Sequence, residues 1–200
     1  DGDLEDSQDF VLIVNPVNDP PVLFPIANQT INEDETLSYN LDVENVDNDM
    51  IFFNATIDDN FTAVFSNNTL HVTPDANWSG SGLIVVSAFD GEYLSEQYFT
   101  LTVLPVNDAP ILSFIEDQVI DEDASITVSL SGSDIDSSTL TFSADIDGNS
   151  DVVVTGSTLT VTPDADYNGI ITVTVYLSDG EITVSQIFSL VVNPINDAPV

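Results

Sequence analysis

Neither lysine nor arginine occurs in the 200 residues, against 35 aspartates and glutamates; the only other titratable base is a single histidine, His71. Side-chain salt bridges are therefore excluded, apart from any made by a protonated His71. A net charge of −35 repels phosphate backbones and anionic lipid, which removes the usual basic routes to nucleic acid and into membranes. Cations, water or positively charged surfaces are the natural partners. Cysteine is also absent, and with it disulfides, thiolate metal sites and thiol nucleophiles. No run approaches the roughly eighteen apolar residues of a membrane-spanning helix, and no signal peptide is visible.

What is present belongs to a folded protein: 42% of residues are hydrophobic, unlike a disordered acidic tail. The apolar residues alternate at period two. Ser125-Ile126-Thr127-Val128-Ser129-Leu130 and Ser157-Thr158-Leu159-Thr160-Val161-Thr162 read as half-buried strands. No helix longer than a turn is expected, and the breaks fall at Asp, Asn, Gly and Pro clusters such as Asp58-Asp59-Asn60, Asp147-Gly148-Asn149 and Thr73-Pro74-Asp75.

The chain repeats itself without a gap at a spacing of 89 residues. Residues 18–106 laid on 107–195 give 34 identities in 89 positions. Asn18-Asp19 returns as Asn107-Asp108 and Asn196-Asp197, Glu33-Asp34 as Glu122-Asp123, Thr73-Pro74-Asp75-Ala76 as Thr162-Pro163-Asp164-Ala165, and Asp90-Gly91-Glu92 as Asp179-Gly180-Glu181. Four segments follow: residues 1–17 as the terminal strand of a preceding repeat, 18–106 and 107–195 as two complete repeats, and 196–200 as the start of the next connector. The chain reads as a slice of a longer array. Its connectors, such as Pro105-Val106-Asn107-Asp108-Ala109-Pro110, carry proline on both sides and are expected to be stiff and extended.

In the first repeat the strand candidates are residues 22–26, 36–41, 51–56, 63–65, 69–73, 83–88 and 96–103. Seven short strands in under ninety residues predict tandem seven-stranded antiparallel β-sandwiches of immunoglobulin-like type. Phe53, Ile57, Leu70, Val72, Val86, Phe99 and Leu101 should face inward, with Phe142, Ile146, Leu159, Val161, Val175, Phe188 and Leu190 as counterparts. Trp78 and Tyr167 read as core or corner packing; a sugar-stacking platform is the sharper alternative.

The acids that recur best flank the connectors. Around Asn107 and Asp108, the first repeat would contribute Glu33, Asp34 and Asp75, and the second Asp134, Asp136 and Asp179. The equivalent positions elsewhere are Asn18, Asp19, Asn45, Asp47 and Asp90 before them, and Glu122, Asp123, Asp164, Asn196 and Asp197 after. In an antiparallel sandwich the Glu-Asp and Thr-Pro-Asp elements can gather at one pole, the Asp134-Ile135-Asp136 turn and Asp179 at the other. Carboxylates crowded in this way repel one another, and no Lys or Arg offsets them. A hard divalent cation does: calcium takes six to eight oxygens from carboxylates, Asn amides and carbonyls, which suits this ligand set better than magnesium or zinc. The plain alternative is that these acids are solvated turn residues. That is the reading for Asp58, Asp59, Asp147 and Asp151. An EF-hand over this last stretch would need Gly and Glu where Ser150 and Gly156 stand.

These residues resemble a known family. The connector Asn-Asp-Ala-Pro resembles the interdomain linker of cadherin repeats, Asp134-Ile135-Asp136 their Asp-x-Asp loop, Ala88-Phe89-Asp90-Gly91-Glu92-Tyr93-Leu94-Ser95 their Ala-x-Asp-x-Gly…Leu-Ser segment, and Glu33 and Glu122 the acid at the base of the first strand. The whole chain looks most like the tandem cadherin-like repeats of very large bacterial surface and adhesin proteins. The resemblance implies calcium held between successive domains, stiffening an extracellular spacer that carries an adhesive or catalytic tip away from a cell. Carry-over is uneven: Asn45 stands where Asp134 stands, Asp75 and Asp164 only approximate an Asp-Arg-Glu motif, and Leu177-Ser178 replaces Ala88-Phe89 beside Asp179.

Catalysis is not expected. His71 becomes Thr160 in the other repeat, and no nucleophile motif accompanies it. A carbohydrate-binding module, with Trp78, Tyr93, Tyr98 and Tyr167 as stackers of a polysaccharide, is one rival. A strand-exchanged filament is another, in which residues 3–16 pair with a second copy. Five Asn-x-Ser/Thr triplets, at Asn28, Asn54, Asn60, Asn67 and Asn77, all fall in the first repeat.

Overall fold

Period-two alternation puts every second side chain on one face of a strand, and two such faces bury each other as a sandwich. The computed structural model describes residue 2 and residues 6–196. It divides into two units, Asp1–Pro105 and Val106–Val200. Among the described residues both units are all-β, and no helix is long and apolar enough to cross a membrane.

Unit 1 contains β1 (Val22–Leu23), β2 (Gln29–Asn32), β3 (Leu37–Asn40), β4 (Val43–Glu44), β5 (Phe52–Thr56), β6 (Phe61–Ser66), β7 (Thr69–Pro74), β8 (Gly80–Phe89) and β9 (Leu94–Leu104). Unit 2 contains β10 (Ile111–Leu112), β11 (Gln118–Asp121), β12 (Ile126–Ser129), β13 (Gly132–Ser133), β14 (Thr141–Ile146), β15 (Ser150–Thr155), β16 (Thr158–Pro163), β17 (Gly169–Ser178) and β18 (Thr183–Asn193). In unit 1 a four-stranded sheet, β2-β9-β8-β5, faces a three-stranded one, β3-β7-β6, with β1 and β4 paired beside them; unit 2 repeats this as β11-β18-β17-β14, β12-β16-β15 and β10-β13. All pairings are antiparallel except β2 with β9 and β11 with β18.

The inward residues are those the alternation selects. Leu70, Val72, Val86, Phe99 and Leu101 are buried in unit 1, as are Leu159, Val161, Val175, Phe188 and Leu190 in unit 2. Phe53, Ile57, Phe142 and Ile146 pack against these cores but stay partly exposed. The reason is topological: β5 and β14 are sheet edges, so one flank of each has no neighbouring strand.

One expectation needs correction. The first strand, expected over residues 22–26, is split: β1, paired with β4, ends at Leu23, and the chain then joins the four-stranded sheet as β2. At the crossing, a side-chain oxygen takes the place of a backbone acceptor. Asn28 Oδ1 accepts the Thr100 N–H at 2.9 Å, and Asp117 Oδ1 accepts the Ser189 N–H at 2.7 Å. A polar side chain substituting for a ladder partner leaves no apolar signature, which is why alternation does not show it. Residues 6–16, read in the sequence as the terminal strand of a preceding repeat, pair with no strand of the two units, and Phe10 and Val14 are 85% and 80% exposed.

Trp78 and Tyr167 hold corners. The Trp78 ring meets Phe61 edge-on at 5.0 Å and covers Gly80, at whose φ of +153° a Cβ would approach the ring to 2.8 Å. Tyr167 covers Gly169 in the same way and donates its hydroxyl to Ile170 O at 3.2 Å. Neither ring serves as a free platform. Tyr98, by contrast, is exposed on the sheet surface.

The two cores solve one packing problem with sizes exchanged. In unit 2 Gly132 faces Leu177, whose Cδ2 would lie 2.3 Å from any added Cβ; in unit 1 the same two positions are Val43 and Ala88. Likewise Gly82 lies under Phe61 in unit 1, where unit 2 has Ile171 and Ser150. Interiors packed to crystal density tolerate such changes only in pairs. Gly132→Val should therefore cost roughly 1–3 kcal/mol or more and Leu177→Ala about 2–5 kcal/mol. The double substitution should cost clearly less than their sum in denaturant melts; simple additivity would contradict the exchange.

Candidate metal centre

The connector pole of each unit is built from one repeated pattern of hydrogen bonds. Where β8 ends, Asp90 Oδ1 accepts the N–H groups of Glu92 at 2.8 Å and Tyr93 at 2.7 Å, closing a turn that Gly91 makes possible at φ +111°. That leaves Oδ2 to accept Asn18 Nδ2–H at 3.1 Å. After β17, Asp179 Oδ1 accepts from Glu181 and Ile182, both at 2.7 Å, and its Oδ2 accepts from Asn107 Nδ2 at 2.8 Å. Proline downstream keeps the asparagine segment extended, so its side chain reaches across to the turn.

The next residue of each connector is held by the Asp-x-Asp loop. The Asp19 N–H donates to Asp47 Oδ2 at 2.7 Å, and the Asp108 N–H donates to Asp136 Oδ2 at 2.7 Å. These loops are braced from within. Asn45 Oδ1 accepts the Asp47 N–H at 3.3 Å; Asp134 Oδ1 accepts from Asp136 at 2.8 Å and from Ser137 at 2.6 Å. The Asn-for-Asp difference has a visible consequence. Asn45 spends its Nδ2 on Asp49 O at 3.1 Å, whereas Asp134 keeps a second carboxylate oxygen that is buried and accepts no hydrogen bond. Asn18 Oδ1 is likewise buried without a donor, beside an open recess of about 280 Å³ lined by Pro16, Val17, Asn18, Asp47 and Asp49.

Electrostatics at this pole follow from the donors. Asp90 is held below the ordinary carboxylate range chiefly by the Tyr93 N–H, and Asp179 chiefly by the Asn107 amide, then by Ile182. The Tyr93 hydroxyl is pushed up, first by Glu92 and further by Asp90 and Asp19, the mark of a negative local field.

The opposite pole carries the Glu-Asp and Thr-Pro-Asp elements. Glu33 and Glu122 are buried. Glu122 Oε1 accepts the Ile195 N–H at 2.6 Å and Oε2 accepts Asn168 Nδ2–H at 3.1 Å. Asp34 and Asp123 sit at φ 62° and 65°, a conformation Asp tolerates, and their Oδ1 atoms accept the N–H groups of Asn77 at 3.1 Å and Asp166 at 3.2 Å. Asp75 and Asp164 are exposed and shape the adjoining turns through their backbones, each carbonyl accepting the N–H of Trp78 or Tyr167.

Within unit 1 the structure thus gathers Asn18, Asp19, Asn45, Asp47 and Asp90 at one pole, and Glu33, Asp34 and Asp75 at the other. Within unit 2 it gathers Asn107, Asp108, Asp134, Asp136 and Asp179, and Glu122, Asp123 and Asp164. Asn196 is exposed, and Asp197 lies outside the described residues. Among the described residues no three Asp, Glu or His side chains converge closely enough to hold a metal by themselves. The donors are nonetheless all oxygens, and Asn18 Oδ1 and Asp134 Oδ2 are acceptors shielded from water with no proton to accept, which fits a hard cation.

Sequence reasoning passed over Asn28 and Asp117, and took Asp58 and Asp147 for solvated turn residues. Asp58 Oδ2 accepts the Leu83 N–H at 3.1 Å, and Asp147 Oδ1 the Thr172 N–H at 3.0 Å, which lowers the Asp147 pKa. The identity of Asp58 with Asp147 across the repeat was the available signal. Asn168, which is Ser79 in the other repeat, offered none.

Residues 106–193 match the family model of the cadherin-like domain. No curated protein sequence matches the chain. Among solved structures, Drosophila N-cadherin EC1-4 is similar over 90% of this chain and 50% of its own, at 16% identity and a TM-score of 0.52. Human protocadherin-24 EC1-2 is similar over 90% of this chain and 100% of its own, at 12% identity and a TM-score of 0.50. An endo-fucoidan hydrolase of glycoside hydrolase family 107 is similar over 92% of this chain and 30% of its own, at 19% identity and a TM-score of 0.42. The chain thus spans less than a third of the hydrolase and half of the Drosophila protein, and these likenesses concern the fold alone.

The Asn107 bond sets a pH response. Because the folded Asp179 carboxyl lies below its unfolded value of about 3.9, its contribution to stability is complete above that value and is lost as pH falls through the lower folded one. Asn107→Ala should move the Asp179 midpoint up towards the ordinary range in a carboxyl-carbon NMR titration of the metal-free chain, leaving Asp90 in place.

Proposed function

We propose, for a chain whose residues 106–193 match the model of the cadherin-like domain and whose unit 1 repeats the same strand order, that it is a calcium-stiffened extracellular spacer with a structural, adhesion-supporting role. The observation that carries the reading is the pair of buried acceptors, Asn18 Oδ1 and Asp134 Oδ2, placed among carboxylates in a chain with no lysine or arginine. At the connector poles the ligands would be Asn18, Asp19, Asn45, Asp47 and Asp90, and Asn107, Asp108, Asp134, Asp136 and Asp179. At the opposite poles they would be Glu33, Asp34 and Asp75, and Glu122, Asp123 and Asp164, with Asn196 and Asp197 serving a following repeat. The bound ion would supply the positive charge the side chains lack and fix the connector onto the unit that follows it. Asn45 in place of Asp134 makes the unit 1 loop the weaker binder, having one carboxylate fewer.

An extracellular setting is part of the proposal, because calcium is abundant there. Extracellular modules bind calcium at about 10⁻⁴–10⁻³ M, weak enough that such sites fill only where the ion is abundant. Tandem repeats of the same chain are the partners this role requires.

Calcium at a hundredfold excess over Kd adds about 2.7 kcal/mol per site, which for a unit of this size raises the melting midpoint by roughly 10–20 °C. Calorimetric scans should show such a rise over chelator-treated protein, smaller in Asp134→Asn/Asp136→Asn, with the scattering-derived maximum dimension falling on chelation. Identical scans and scattering with calcium and with chelator would sink the proposal.

A further inference from the structure

Residues 6–16 carry five consecutive exposed apolar side chains, Phe10 to Val14, on a chain otherwise crowded with acids. Their order is not arbitrary. Set against residues 184–194 of β18, seven of these eleven residues are identical: Ser7, Gln8, Phe10, Leu12, Val14, Asn15 and Pro16. Set against residues 95–105 of β9, five are identical. In both units the counterparts of Phe10, Leu12 and Val14 are core residues of the last strand. Phe99, Leu101 and Val103 are at most 2% exposed, as are Phe188, Leu190 and Val192. In residues 6–16 the same three side chains are 85%, 76% and 80% exposed.

We infer that residues 6–16 are a docking strand: they add, as the last strand, to a sandwich body of this same fold that supplies every other strand. The occupant of the Phe10-Leu12-Val14 face is therefore an incomplete cadherin-like body, not a loop, a helix or a sugar. Backbone pairing gives affinity in such strand addition, and alternate side chains give register.

The register specifies the partner. Val103 pairs with Gly80 and Val192 with Gly169, the two glycines covered by Trp78 and Tyr167. Phe99 pairs with Ile84 and Phe188 with Val173, four residues further along. The partner strand must thus present glycine opposite Val14, an aromatic residue two positions before that glycine, and a β-branched residue opposite Phe10. On the other flank β9 and β18 each accept a parallel strand, whose Ile31 or Ile120 sits opposite Val103 or Val192. The partner supplies that strand as well. Val11 and Ile13 occupy the outward positions of Thr100 and Thr102, or of Ser189 and Val191, so they carry no register information.

Transplanting the strand within the full chain tests this. Residues 184–195 are replaced by the sequence of residues 6–17, and the chimera is melted in chelator, so that metal binding does not enter the readout. We expect unit 2 to keep a cooperative transition, with the β17 amides still protected from hydrogen exchange. Leu12→Asp carried into the transplanted copy should abolish that transition, while Val11→Ser should leave it within a few degrees. Loss of the unit 2 transition in the chimera itself, or equal effects of the inward and outward substitutions, would overturn the inference.

Discussion

Every carboxylate in this chain has to be accommodated without a lysine or an arginine. That single constraint accounts for where the acids lie. A carboxylate that cannot pair with a cation is stabilised by N–H donors, and spare backbone N–H groups occur only where a strand ends or a turn begins. Asp90 and Asp179 therefore close the turns after β8 and β17, Asp34 and Asp123 staple neighbouring loops, and Asp58 and Asp147 cap the starts of long strands. The asparagines extend the supply, since Asn18 and Asn107 each lend an amide to the carboxylate across from them. What remains after this donation is acceptor capacity with nothing to accept, and it collects at the poles.

The duplication separates what the fold demands from what it tolerates. The polar contacts recur almost atom for atom, connector asparagine to turn aspartate and connector N–H to the Asp-x-Asp loop. The cores do not. Val43 and Ala88 become Gly132 and Leu177, and Phe61 and Gly82 become Ser150 and Ile171, sizes exchanged at fixed positions. Hydrophobic packing depends on total volume and can be redistributed, whereas a hydrogen bond depends on one donor meeting one acceptor. Drift touches the poles as well: Asn45 becomes Asp134 and Ser79 becomes Asn168.

Much of this was legible in the sequence, for identifiable reasons. Alternation found the long strands and the buried residues of β7, β8 and β9, because a strand buried on one face must alternate. The 89-residue period singled out the recurring polar residues, though not which of them pair. The crossing between β1 and β2 was hidden, since it rests on Asn28 and Asp117 standing in for a backbone acceptor, and the two residues are not even identical. The buried acceptor on Asp134 was hidden as well, because burial of one oxygen depends on how Ser137 and the connector close over it. The short pairs β1 with β4 and β10 with β13 are two residues long, too brief for any periodic signal.

Fold and site together describe a repeat whose interior provides rigidity and whose ends are left electrostatically incomplete. The most direct test of that incompleteness is isothermal titration calorimetry of the chelator-treated chain with calcium chloride, in parallel with Asp179→Asn/Asp136→Asn. The account predicts saturable heats at a defined stoichiometry for the native chain and fewer sites for the variant. Dilution heats alone, or the same weak, unsaturable response to calcium and magnesium in both proteins, would contradict it.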